Sequence, residues 1–183
     1  MELQKPSESN LPLYVAALER ELDEGHEPFH YSLEMIEGAK KDPSALIATF
    51  DDPVGGRLIT VDAGMQRAAL PSFTRWLYDG EICGSIQFRW KPGTVELPPY
   101  CLGHIGYQIF PWKRGQGLAT KQLELMLGLT RNIELPYVEL TTTLANVASQ
   151  KVIRKNGGVF IKEFERAAEY GGGMYNLFRI DQS

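Results

Sequence analysis

Between Pro111 and Thr130 the chain reads PWKRGQGLATKQLELMLGLT: a proline, two cations, Gly-Gln-Gly, then apolar residues at helical spacing. A glycine-rich loop that opens a helix turns unpaired backbone N–H groups outward and carries partial positive charge there. Phosphate binds such an end readily. Two phosphate loops can be tested on spacing. A Walker A loop needs Gly, four residues, Gly, Lys, then Ser or Thr; Lys121 follows Thr120 and the glycines sit at the wrong offset, so it fails. A dinucleotide fingerprint accepts Gly115 and Gly117, with Glu139 at a suitable distance. Thr120 replaces its third glycine, however, and too little chain follows to build the remaining strands.

A third loop fits position by position. Arg114-Gly115-Gln116-Gly117-Leu118-Ala119 matches Arg/Gln-x-x-Gly-x-Gly/Ala, and it follows a strand ending in Ile109-Phe110-Pro111. A strand comes next, and then a helix running from Asn146-Val-Ala-Ser149 to Lys155-Asn-Gly157-Gly158. These segments resemble the pyrophosphate loop and the Asn-x-x-Ser/Ala helix of the GNAT acetyltransferase superfamily. Gly106-Tyr107 in the strand, paired with Asn-x-x-Ser, is similar to the branch that acetylates ribosomal-protein N-termini. LPPYCLGHIGYQIFPWKRGQGLAT, LPYVELTTTLANVASQKVIRKNGG and YGGG resemble a family of acetyltransferases inferred from sequence, with no assigned substrate. The likeness covers roughly the last 110 of the 183 residues; about the first 50 match only as generic helices.

The resemblance implies a layered α/β (α+β) GNAT fold, a mixed central sheet of about six to seven strands with helices on both faces. It implies an enzyme that moves acetyl from acetyl-CoA to a primary amine. In that family the strand before the loop splays from its neighbour and pairs with the pantetheine arm, a role that falls here to Gln108, Ile109 and Phe110. Their N–H groups would hold the donor and polarise its carbonyl. The N–H groups from Arg114 to Ala119, with Thr120 beside them, would take the pyrophosphate, the glycines standing where a side chain would block approach.

For the base, His104 is the first candidate. Strand alternation places His104, Gly106 and Gln108 on one face and Ile105, Tyr107 and Ile109 on the other. His104 occupies the position, two before Gly-Tyr, where the ribosomal-protein branch often carries glutamate, and histidine titrates near neutrality. A hydrogen-bonded histidine at a strand start is the competing reading. Glu96, in the preceding loop, is a weaker candidate. Many family members place a tyrosine acid where this chain has Ile153, which has no proton to give. Ser149 lies one turn earlier on the same helix face and resembles the serine of the ribosomal-protein branch, so it could bond the thiolate or the cofactor. Asn146 caps the helix and is also a candidate for the cofactor arm. The turn from Tyr170 to Tyr175 would overlook the acceptor side. Trp76, Trp90 and Trp112 read as packing residues.

The elements that must position these residues are mostly legible. LPLYVAALERELDEG reads as a helix with Leu11, Val15, Leu18 and Leu22 on one face and Gly25 as its stop. SLEMIEGAKK, with Ser32 as N-cap and Asp42-Pro43 after it, and PSALIATF read as two more. Asp51 to Pro71 carries no clean pattern. FTRWLY and EICGSIQFRW, joined by Asp79-Gly80, predict a hairpin with a two-residue type I′ turn. HIGYQIF, YVELTTT, GVFIKEFER and MYNLFRI supply further strands. No repeat or linker divides the chain, which predicts a single domain over residues 1–183.

Composition narrows the partners. Net charge is −4 and the cations are scattered, which argues against nucleic acid and gives slight support to a cationic acceptor. No stretch is long and apolar enough for a membrane span, and MELQKPSESN lacks a secretory pattern, so a cytoplasmic enzyme is expected. Cys83 and Cys101 read as free thiols. Cys101-Leu-Gly-His104 has no second pair to complete a metal site, and no metal is expected. The favoured acceptor is a small-molecule amine, with a protein N-terminus second; a homodimer is compatible with the sequence. Two rivals stand beside this reading: an acyl-CoA-binding module without chemistry, suggested by Ile153, and a nicotinamide dinucleotide enzyme.

Overall fold

Alternating apolar residues in the middle of the chain build the first sheet. A computed structural model describes residues 1–26, 32–61 and 64–182. Strands β5 (Ser72–Tyr78) and β6 (Ile82–Arg89) pair antiparallel, and β7 (Ile105–Ile109) pairs with the far side of β6. Two short strands, β1 (Glu2–Gln4) and β2 (Asp51–Asp52), share the outer edge of β5. The β5–β6 turn differs from the two-residue form expected. Tyr78 pairs with Ile82, so Asp79, Gly80 and Glu81 all belong to the turn, and the register shifts beside it. A type I′ turn needs positive φ at both central residues, whereas here Gly80 alone has it, at 122°.

A second sheet holds β8 (Tyr137–Thr143), β10 (Met174–Asp181) and β9 (Val159–Glu165), in that order and antiparallel throughout. The unpatterned stretch after Asp51 contains a small hairpin of β3 (Leu58–Thr60) and β4 (Gln66–Ala68). The expected mixed central sheet is therefore two ladders set side by side. Helix α4 (Leu118–Thr130) carries the chain from β7 to β8, the crossover that lays one strand beside another in the same direction.

Helices cover both faces. On one, α4 and α5 (Val147–Lys155) enclose Ile86, Phe88, Leu123, Met126, Leu140, Ile153 and Phe178. On the other, α1 (Leu11–Asp23), α2 (Ser32–Lys41) and α3 (Pro43–Thr49) pack over Trp76, Ile82 and Phe110. The buried stripe of α1 is Leu11, Tyr14, Ala17, Leu18 and Glu21, with Val15 and Leu22 at its margin. The stripe is rotated because Tyr14 stacks on Trp76 at 4.3 Å between ring centres, which turns that side of the helix inward. Ser32 is the first residue of α2, and its hydroxyl donates to buried Glu21. Among the described residues no helix is long and apolar enough to cross a membrane.

Candidate active site

Where β7 meets β8, one residue on each strand holds the other. The His104 N–H donates to the Glu139 carbonyl at 2.8 Å, and the Glu139 N–H donates to His104 Nδ1 at 2.9 Å. Beyond this bracket no ladder joins the two strands among the described residues, so they diverge toward Ile109 and Thr143. The result is a wedge closed at His104 and open toward the helix α4 end.

The alternation of an antiparallel pair decides which groups face the wedge. Gln108 lies opposite Ser85, and the Phe110 N–H donates to the Cys83 carbonyl at 2.9 Å. Gln108 and Phe110 thus turn their main chain toward β6. Tyr107 and Ile109 turn theirs toward the wedge. Of the three N–H donors expected for the pantetheine arm, only Ile109 is open to it, and Tyr107 is an open donor that the sequence reading passed over. The Ile109 carbonyl accepts from Arg114 Nε at 3.1 Å, which ties the end of the strand to the glycine loop.

That loop enters α4 through two left-handed glycines, Gly115 at φ 76° and Gly117 at φ 78°. A side-chain carbon on either would meet nothing within 4 Å, so the space above them is open. The Arg114 N–H donates to Pro111, and the Thr120 N–H donates to Gly117 at 3.1 Å. Neither is free for a ligand. Among the described residues no protein acceptor answers the N–H groups of Gly115, Gln116, Gly117, Leu118 and Ala119. Five consecutive donors at a helix start form an anion cradle that a diphosphate fits. Just upstream, Lys113 bonds both Asp79 oxygens at 3.0 Å and Glu81 at 2.9 Å, anchoring the loop to the β5–β6 turn.

Helix α5 covers one face of the wedge. Its cap is Asn146, whose Oδ1 accepts from the Ser149 N–H at 3.0 Å. Ser149 Oγ lies 2.8 Å from Tyr107 Oη, so a strand phenol and a helix hydroxyl form a pair across the wedge. Burial raises the Tyr107 pKa, with the Ser149 bond pulling the other way, so the phenol keeps its proton. Ile153 is wholly buried in the core between helix and sheet. Asn156 closes α5 and donates to the Thr120 carbonyl at 3.2 Å, joining it to the first turn of α4.

His104 is also wholly buried, and burial lowers its pKa, with the Glu139 carboxylate acting in the opposite sense. Because Nδ1 accepts from a main-chain N–H, the neutral ring carries its proton on Nε2. Nε2 is buried, and the Val95 main chain beside the ring acts against the lowering. The ring therefore presents no lone pair with which to take a proton from an amine. Glu96 is exposed. Cys101 Sγ donates to the Gly103 carbonyl at 3.5 Å. Trp76 lies in the core, Trp90 stacks on Phe88 at 5.5 Å and Trp112 on Phe110 at 4.9 Å. The Gly171–Gly173 turn has positive φ throughout, and the adjoining Tyr170 lines a cavity of about 300 Å³ with Glu139, Thr141 and Phe164.

Comparison with known proteins agrees with this geometry. No curated protein matches the sequence. Among solved structures, the microcin C7 self-immunity acetyltransferase MccE, in complex with acetyl-CoA and AMP, has a TM-score of 0.63 at 9% identity. The match covers 98% of this chain and 91% of that one. The ribosomal α-N-protein acetyltransferase RimL, in complex with coenzyme A, gives 0.62 at 13% identity, over 98% and 92%. A variant of the spermidine N-acetyltransferase SpeG from Vibrio cholerae gives 0.59 at 15%, over 100% and 96%. At such identities the likeness is one of fold. The family model described as Acetyltransferase (GNAT) domain matches residues 56–159, more than half of the sequence. A wedge between two strands, an anion cradle at its open end and that match together make this chain a member of the GNAT acetyltransferase family.

Proposed function

We propose that the protein transfers an acetyl group from acetyl-CoA to a primary amine, with a small molecule favoured over a protein N-terminus as acceptor. The observation that carries this reading is the continuity of open donors. Five N–H groups at the start of α4 lead through Arg114 to the Ile109 and Tyr107 main chain in the wedge. A diphosphate and an amide-bearing arm need that series of donors in that order. MccE and RimL hold acetyl-CoA or coenzyme A on the same fold, and RimL and SpeG are acetyltransferases of a ribosomal protein and of spermidine.

Bound there, acetyl-CoA supplies a thioester whose acyl group passes to the amine nitrogen as the thiol leaves. The Ile109 N–H would polarise the acyl oxygen, a fixed donor in a partly desolvated wedge. Tyr107 Oη and Ser149 Oγ, 2.8 Å apart, would deliver the proton that the departing sulfur takes. His104 keeps a positioning role: it closes the wedge and fixes the strand that carries the donors. The acceptor reacts as the neutral amine; its surplus proton passes to water as the amide forms, and water returns a proton to the hydroxyl pair. Gly115 to Ala119 orient the donor, while Asn146 holds the first turn of α5, and with it Ser149, in place.

Incubating the protein with acetyl-CoA and a broad amine panel, with thiol release as readout, tests the reading. Release with some amines supports it. Tight coenzyme A binding with no release on any amine would leave the acyl-CoA-binding module instead.

A further inference from the structure

Gly106 lacks a side chain where β7 passes under Arg89. A carbon built on Gly106 would stand 2.8 Å from Arg89 Nη2, so the guanidinium lies directly over this residue. The face is the one opposite Tyr107 and Ser149, since successive residues of a strand alternate. Arg89 is half-buried at the end of β6, held by its own N–H to the His104 carbonyl at 2.9 Å. Its Nε is buried with no hydrogen-bond partner, and among the described residues no carboxylate pairs with it. The nearby Glu139 is already held by Arg179 at 2.9 Å.

A half-buried guanidinium whose Nε has no partner and which no acid neutralises is a site for an anion. We propose that Arg89 binds an acidic group, a carboxylate or a phosphate, carried by the acceptor amine itself. This rests on the acetyl-transfer reading for the place of the amine. The α5 side of the wedge is closed by the Tyr107–Ser149 pair, so the acceptor enters over Gly106 and Gln108. From Gly106 to Gln108 is about 7 Å along the strand, the span of a short carbon chain between amine and acid. The negative net charge favours cations at long range, but salt screens such a field within about 8 Å. At contact distance, Arg89 decides.

The experiment measures binding to the CoA-loaded protein by calorimetry, without turnover. Matched probes are β-alanine against its amide, and 2-aminoethyl phosphate against ethanolamine. The acid of at least one pair binds about tenfold or more tightly than its neutral partner, as one charge-assisted contact warrants. Which pair shows the larger ratio tells carboxylate from phosphate. In Arg89→Met the ratio falls to near one. In Gly106→Ala, where the new methyl displaces the flexible guanidinium tip, it falls part of the way. Equal binding of acid and neutral partner in both pairs, or a ratio unchanged in Arg89→Met, overturns the proposal. Thiol release is scored separately, so a protein that never releases thiol sinks the transfer reading while the binding ratio still judges Arg89.

Discussion

His104 and Glu139 bracket each other, each giving its main-chain N–H to the other, once to a carbonyl and once to an imidazole nitrogen. Two donors and two acceptors on adjacent strands close the vertex of the wedge. The bracket exists only while the ring is neutral, because a protonated Nδ1 would set a donor against the Glu139 N–H.

The first prediction follows from that bracket. Burial holds the His104 pKa below its ordinary value of 6.5. As pH falls through that value the unfolded chain takes up a proton that the folded chain refuses, so stability falls with it. The slope approaches about 1.4 kcal/mol per pH unit from this residue until the folded-state pKa is reached. Urea unfolding between pH 7.5 and pH 5 should show the decline, and His104→Gln should flatten it. An equal slope in both proteins would deny the role. Turnover, by contrast, should follow the ionisation of the acceptor amine, with no inflection owed to histidine.

A second prediction concerns the anion cradle. Gly117 needs φ 78°, which costs an L side chain about 1–2 kcal/mol. Gly117→Ala should lower thermal stability by that amount. It should also weaken coenzyme A binding about tenfold or more, because the methyl occupies the space the phosphates need. Calorimetric titration with coenzyme A is the check, and unchanged affinity would place the ligand elsewhere.

The third concerns the phenol and the hydroxyl. Tyr107→Phe and Ser149→Ala should each slow turnover by about one to two orders of magnitude, and the double substitution should cost little more than either alone. Additive losses would show two independent roles. Affinity for coenzyme A, measured alongside, should change far less than turnover.

Ile153 gives the fourth. Tyrosine placed there would not restore an acid, since the site is core. The Ile153 Cγ2 is already so close to Gly158 that a carbon added to that glycine would stand 2.3 Å from it. Ile153→Tyr should therefore destabilise by about 1–3 kcal/mol through overpacking, without a gain in turnover. Denaturant unfolding and steady-state rates together decide it.

The glycine loop was legible because its requirement is local: the order of glycines at a helix start can be read, and the flanking strand and helix narrowed what the loop resembles. The Asn146 cap and the strands flanking the loop were readable for the same reason. Which N–H groups face the wedge was not, because it depends on whether β7 pairs with β6 through its even or its odd residues. Register turns the main chain of Gln108 and Phe110 toward β6 and that of Ile109 and Tyr107 toward the wedge. Alternation placed Tyr107 on the face away from His104, but nothing in the spacing of residues 107 and 149 showed that their hydroxyls would meet. For the histidine, residue type left a base and a hydrogen-bonded strand-start residue both open, and its burial and the direction of Nδ1 favour the second.

The tip of a hairpin is ordinarily where a chain accepts extra residues with least disturbance. The tip at Asp79 to Glu81 is different, since Lys113 moors it to the turn that leads into Gly115. A peptide tag grafted between Asp79 and Glu81 would pull on that mooring and misplace the donors above it. Engineering that leaves coenzyme A binding intact should choose another attachment point.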